Sequence, residues 1–258
     1  MNEKHAEKVL FTVDDTFKFS CNGALACYNS CCRDINIFLT PYDALRMRRG
    51  TSLPSEEFLQ KYTIALVGDE GLPLVVLKMT EDENKTCLFV TPAGCSVYQD
   101  RPWSCRMYPV FPVSSEEKEF LIEEIAACHG FRQEKQTTVT EWKREQDIDV
   151  YDKMNKPYKD ITLHDYFMNG NKLDMGKTKL MYTACYDLDA FKTFLFSTKF
   201  FEIYDVEEEL IEKIKNDDEE LLNFGYRWVR FSLFSEDTLK LKDKEMDKLL
   251  KSKSKVSS

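Results

Sequence analysis

Eight of the nine cysteines lie at Cys21, Cys27, Cys31, Cys32, Cys87, Cys95, Cys105 and Cys128, and Cys185 stands alone in the rest of the chain. Their spacing is C-x5-C-x3-C-C, then C-x7-C-x9-C-x22-C, four thiols and four. Sets of four thiolates hold soft metals: a zinc ion in tetrahedral array at about 2.3 Å, or a four-iron cluster with one thiolate per iron. Short loops lose little entropy on closing, so clustering in sequence makes such convergence cheap. Structural zinc usually shows C-x2–4-C knuckles, and only C-x3-C and the adjacent pair are that short here. An iron-sulfur cluster has a larger radius and tolerates wider intervals, which puts it ahead of zinc. Neighbouring side chains diverge in extended backbone, so Cys31 and Cys32 need a turn to reach one centre. Either they serve two centres, or one ligates while the other packs. All eight clustered cysteines are candidate ligands, whereas the isolated Cys185 reads as a buried small hydrophobe.

Charge and composition narrow the setting. The opening MNEKHAEKVLFTVDD is charged from its third residue and lacks the apolar stretch of a secretory signal. No run approaches the roughly 20 apolar residues of a membrane span. The expectation is a soluble cytoplasmic protein without membrane association, where ordinary thiols stay reduced. The odd cysteine count also argues against a disulfide framework. Of the net charge of −9, residues 240–258 contribute +4 from seven Lys and three acidic groups, leaving about −13 on the body. Such a body lacks the basic face that phosphate recognition needs, so nucleic acid is not an expected partner. The basic tail reads as a fraying terminus.

The elements that must position the thiols are short. LTPYDALRMRRG predicts a helix capped by Thr40, with Pro41 at its first position, Asp43 in the first turn and Gly50 as the stop. LPLVVLKM and TCLFV predict strands flanking the polar turn TEDENK, a hairpin. EFLIEEIAAC follows a proline-rich turn and predicts a strand. Beyond it, TEWKREQDIDVYDKM, DLDAFKTFLFSTKFF, DVEEELIEKIKN and DDEELLNFGYRWVRFSLF carry apolar residues at helical spacing, with Asp187, Asp205 and Asp217 as N-caps. Phe191, Phe194, Phe200, Phe201, Tyr226, Trp228 and Phe231 on these helices read as core rather than a ligand pocket.

The segments FSCNGALACYNSCCRDINIFLTPYDALRM and CLFVTPAGCSVYQDRPWSCRMYPV together resemble the YkgJ family of cysteine-cluster proteins, also described as a zinc- or iron-chelating domain. The resemblance runs from about Phe19 to Gly130. It rests on the paired cysteines, the Leu-Thr-Pro helix opening, and the motif of Tyr98, Arg101, Pro102, Cys105, Arg106, Tyr108 and Pro109. The Cys-x5-Cys opening is longer than the family's usual first interval. The resemblance implies a metal or cluster site, and some relatives are labelled flagellin lysine N-methylases.

Arg101 and Arg106 suit such a site, because four thiolates around zinc, or an oxidised four-iron cluster, carry about −2. The alternative is an ordinary ion pair with one of the many carboxylates. Pro102, Pro109 and Pro112 stiffen the loop and leave backbone N–H groups free to donate to sulfur. His129 is either a further ligand or proton carrier, or a surface residue.

Motifs for other chemistry are missing. No strand runs into a Gly-rich turn with an acidic residue beyond it, no compact C-x3-C-x2-C triad occurs, and neither Gly-x-Ser-x-Gly nor His-Glu-x-x-His is present. Three functions remain. The first is a metal-binding protein whose centre is structural, stores metal or carries electrons, with the helical half packed on it or meeting a protein partner. The second, implied by the resemblance, is a protein lysine N-methylase with a cluster near its active site. The third is a thiol redox sensor whose cysteines sit beside Arg101 or Arg106. The expected architecture is α+β: a loop-rich cysteine-cluster domain over 1–130, a helical region over 131–239, and a disordered basic tail over 240–258.

Overall fold

A computed structural model describes residues 10–114, 118–122, 124 and 127–244. The fold is α+β, and the chain divides into two compact units interleaved in sequence. The first is made of residues 1–37 and 77–153, the second of 38–76 and 154–258. Residues 38–76 thus leave the cysteine-bearing part, and 131–153 join it.

The first unit is built on small antiparallel sheets. Leu10–Phe11 pairs with Phe120–Ile122, which pairs in turn with Val110–Pro112. Thr16–Lys18 pairs with Gln136–Thr138, Phe17 opposite Thr137. Alternation places Phe17 and Phe19 inward and Lys18 outward, as strand geometry requires. Phe17 and Phe19 join Met107, Val110, Phe120, Val139, Trp142 and Ile148 in one core, with Cys128 and Phe131 packed against it. The Phe19 ring meets Trp142 edge-on at 5.4 Å and Phe131 at 5.0 Å. These contacts anchor both ends of the cysteine region to one apolar cluster.

EFLIEEIAAC does form a strand over Phe120–Ile122, although residues 123, 125 and 126 lie outside the described set. The helical stretch starting at Thr140 is two helices, Val139–Glu145 and Ile148–Thr162. Asp147 between them takes a φ of 54°, a left-handed conformation that helical periodicity does not register. The predicted hairpin around TEDENK is reduced to its turn. Asp82 accepts from the backbone of Asn84 and Lys85, and Met79 bridges Cys87 in isolation.

The second unit holds a sheet of order Phe38–Leu39, Pro73–Leu77, Thr63–Val67. Pro73–Leu77 therefore pairs with Phe38–Leu39, Val76 opposite Phe38, instead of with the segment after the turn. The helix Pro41–Thr51 has a complete capping box between Thr40 and Asp43. It runs through Gly50 and ends where Ser52 adopts a left-handed φ of 56°. Leu188–Ser197 and Phe200–Ile203 split the stretch predicted as one helix. Asp187 and Asp217 cap as expected, but Asp205 lies in a two-residue strand with Lys240–Leu241, and Glu208–Asn216 has no side-chain cap. That pairing places Lys240 and Leu241, the first residues of the basic tail, in a strand. Residues 245–258 lie outside the described residues.

The long helix Asp218–Phe234 meets Met175–Cys185 at Gly225, where a Cβ would fall 2.3 Å from the Ala184 carbonyl oxygen. Phe191, Phe200 and Tyr226 are core and Cys185 is fully buried, while Phe194 is 39% exposed. Among the described residues no helix is long and apolar enough to cross a membrane.

Candidate metal centre

A run of tight turns carries the first four cysteines. Asn22 accepts from the Ala24 N–H through its side chain, Tyr28 N–H bonds Leu25 O, and Ser30 N–H bonds Cys27 O at 2.9 Å. Asn29, at a φ of 65°, then starts a single 3-10 turn over Ser30–Cys32. This turn supplies what the adjacent pair needed: the thiols of Cys31 and Cys32 hydrogen-bond to each other.

Two backbone junctions bring in the other four. At one, Cys87 N–H donates to Cys32 O at 2.9 Å, Arg33 bridges Thr86, and Asp34 N–H donates to Lys85 O. A short hairpin then pairs Val90 with Cys95 and returns Ser96 N–H to Phe89 O at 2.8 Å. At the other, Ser20 N–H donates to Gly130 O at 3.1 Å and Phe19 N–H to Lys135 O at 3.0 Å. This sets Cys128 beside the first turn, where His129 N–H donates to Cys27 Sγ at 3.1 Å. Cys105 arrives on the helix Trp103–Met107.

Of the eight residues, Cys21 and Cys31 are exposed and the other six are half-buried. Partial burial, with Cys31, Cys128 and Cys27 as charged neighbours, pushes the Cys21 thiol up to about 11. Cys32 donates to Cys31, which holds Cys31 at about 7 and drives Cys32 far upward, with burial adding to the rise. Burial also raises Cys87 and Cys95, and each receives an opposing hydrogen bond from the backbone N–H two residues on, Phe89 and Val97. N–H groups aimed at sulfur favour the thiolate and tune a bound centre.

The two arginines part company. Arg106 is buried and spends its donors on main-chain oxygens: Nε on Arg101 O at 3.1 Å, Nη1 on Gln146 O at 2.8 Å, and Nη2 on Gln99 O. Its guanidinium lies 4.7 Å from the Tyr151 ring centroid, and Asp147 is 3.5 Å away. Arg101 stacks on Tyr98 at 3.9 Å and donates to Tyr98 O and Gln146 Oε1. Cys105 and Cys95 are among the groups that favour its charge against the burial that opposes it.

Two tyrosines complete the surroundings. Burial and a hydrogen bond with Cys128 raise the Tyr108 phenol. Tyr28 lies within electrostatic reach of Cys21, Cys95 and Cys32, and its hydroxyl fills the space over Gly94, where a Cβ would come within 2.8 Å. Tyr108 belongs to the arginine-rich motif, but Tyr28 carries no signal beyond its place among the cysteines.

The donor set suits a soft metal: eight thiols gathered by two backbone junctions, three of them facing backbone N–H groups. Among the described residues no three His, Cys, Asp or Glu side chains stand, as they lie, in an arrangement that could hold a metal ion. Ligation therefore requires the thiols to turn onto a centre from these backbone positions.

No curated protein and no solved structure matches the chain. Residues 20–129 match the model of the CxxCxxCC family, described as "Putative zinc- or iron-chelating domain". The matched segment spans every cysteine from Cys21 to Cys128, so this part of the chain is similar to the zinc- or iron-chelating domain that the model describes.

Proposed function

We propose that the domain holds iron-sulfur chemistry in preference to zinc, on thiolates drawn from Cys21, Cys27, Cys31, Cys32, Cys87, Cys95, Cys105 and Cys128. The observation that carries this reading is the gathering of all eight thiols, from segments more than 50 positions apart, around N–H donors aimed at sulfur. Four sulfurs around one zinc sit about 3.8 Å apart, by tetrahedral geometry at about 2.3 Å. Thiols gathered more loosely suit a cluster, which spreads its ligands over several irons. Arg101, buried beside Cys95 and Cys105, would offset the negative charge of a loaded centre. A bound cluster would supply one-electron chemistry, and the protein would set its potential through the N–H donors and Arg101.

Iron, zinc and acid-labile sulfide per chain, with an absorption spectrum on anaerobically purified protein, test this. Iron and sulfide in near-equal amounts support it. Zinc without sulfide replaces it with a structural zinc module.

A thiol redox sensor is the second reading, and the exposed Cys31 thiol, held at about 7 by Cys32, favours it. Under that reading the anaerobic protein carries neither metal nor sulfide, and mild oxidation consumes thiols in pairs.

A further inference from the structure

The sheet of the second unit ends on a bare edge. Thr63–Val67 pairs with Pro73–Leu77 on one side, and among the described residues no strand pairs with its other side. An edge of this kind presents outward N–H and C=O groups, a template for one more strand. Edges are usually blunted by lysine, proline or an inward charge, and the strand TIALV holds none of these.

Both faces of the strand are apolar and open. Alternation puts Ile64 and Leu66, 47% and 50% exposed, on one face, and Ala65 and Val67 on the other, Val67 at 54%. The neighbouring Pro73–Leu77 is buried at every position but Leu74. The open edge is nevertheless held at both ends. Thr63 is buried and its hydroxyl donates to Leu59 O, at the end of the helix Ser55–Tyr62. Beyond Val67, Gly68 N–H donates to Leu72 O and Gly71 N–H to Gly68 O, both at 2.9 Å.

Charge decides what fits this edge. Lys61, exposed over the ring of Tyr62, stands just before the strand, and the exposed Asp69 and Glu70 stand just after it. An antiparallel copy of the same strand, related by a two-fold axis at Ala65, sets Thr63 opposite Val67 and Ile64 opposite Leu66. It also brings Lys61 of each copy to the Asp69–Glu70 end of the other. A parallel copy would set like charges side by side, which is destabilising.

We propose that Thr63–Val67 is a dimerisation edge, pairing antiparallel with the same strand of a second copy of this chain. Such an interface is isologous, one self-complementary patch used twice, and joins the two three-stranded sheets into one. Main-chain hydrogen bonds hold it, the meeting of Ile64 with Leu66 removes apolar surface from water, and the flanking charges set its direction.

The test is sedimentation of the full-length chain over a wide range of concentration, without oxygen and with reductant, so that the exposed Cys21 and Cys31 cannot link copies. The wild type is expected to pass from monomer to dimer as concentration rises. Leu66→Lys is expected to stay monomeric with an unchanged thermal midpoint. Lys61→Glu alone, and Asp69→Lys with Glu70→Lys in one chain, should each dimerise more weakly than the wild type. Mixed together, these two variants should form a heterodimer tighter than either homodimer, because each end again joins opposite charges. A wild type that remains monomeric throughout overturns the proposal and leaves the edge to a strand of another protein. A dimer indifferent to Leu66→Lys overturns it as well, as does a mixture that recovers nothing. Should a variant fail to fold, amide exchange of the wild type decides: exchange at Ile64–Val67 should slow with rising concentration, and exchange independent of concentration overturns the pairing.

Discussion

The backbone N–H of His129 donates to Cys27 Sγ at 3.1 Å across 102 positions of sequence. The interaction belongs to the main chain, so the identity of the side chain at 129 is secondary. A hydrogen bond to a thiolate favours the charged form that a metal requires. His129→Ala is expected to keep the metal content of the wild type. His129→Pro deletes the donor and is expected to lower it, or to shift the reduction potential of a bound cluster downward. Metal analysis and a redox titration of the two variants check this; equal loss in both would return the imidazole to the list of ligands.

Arg106 holds three main-chain oxygens from a position 2% exposed, and it lies under the Tyr151 ring. It knits the loop of Gln99 and Arg101 to Gln146, just ahead of the left-handed Asp147. Lysine cannot reproduce a planar fork with this many directions. Hydrogen bonds to charged groups contribute about 1.5–3 kcal/mol each, and the buried oxygens would lose partners. Arg106→Lys is therefore expected to cost about 2–4 kcal/mol in chemical denaturation. A loss below about 0.5 kcal/mol, the range of ordinary surface substitutions, would contradict this role.

What could be read from the sequence was local. The capping box of Thr40 and Asp43 spans three residues and is complete in the structure, because both hydrogen bonds close within one turn. The eight thiols are equally plain as a composition of one region. Pairing is another matter. Pro73–Leu77 has the same apolar pattern whether its partner lies at Phe38 or at Phe89, and only tertiary packing decides. Asp147 and Ser52 bend the chain with left-handed backbones but without glycine, so neither break is visible as a residue type. The approach of Cys128 to the first cysteine turn, and of Cys87 to its end, depends on hydrogen bonds from Ser20 to Gly130 and from Cys87 to Cys32, contacts of long range that spacing alone does not specify.

Gly225 is where helix Asp218–Phe234 comes closest to Met175–Cys185. An added methyl would lie 2.3 Å from the Ala184 carbonyl oxygen and 3.4 Å from the Phe191 ring. The obstacle is main chain inside a helix, so the helices must separate rather than a side chain turn. Overpacking of this kind typically costs about 1–3 kcal/mol, against which alanine's better helix propensity returns about 1 kcal/mol. Gly225→Ala should lower the thermal midpoint despite that gain. An unchanged or raised midpoint would mean that the helices are not held at this distance.

The thiols link metal loading to pH with a definite sign. Cys21 is pushed up to about 11, and Cys32, Cys87 and Cys95 are also raised, so without metal these groups are protonated at neutral pH. Ligation requires thiolate, so on the proposed ligand set each would give up a proton on binding, and affinity would rise with pH. Cys31, at about 7, is already half ionised there and releases least. The metal-free fold has the opposite dependence. Thiols raised above their ordinary value of 9 contribute stability that is complete below pH 9 and lost as pH rises toward about 11. Cys31, being lowered, contributes stability that is complete above pH 9 and lost as pH falls toward about 7. Zinc or cadmium titrations at pH 6, 7 and 8, in buffers of differing ionisation enthalpy, should show proton uptake by the buffer and tightening affinity with pH. Denaturation of the metal-free chain between pH 9 and 11 should show declining stability that bound metal abolishes. Metal affinity independent of pH over this range would mean that the thiols enter the centre already ionised, contrary to their placement.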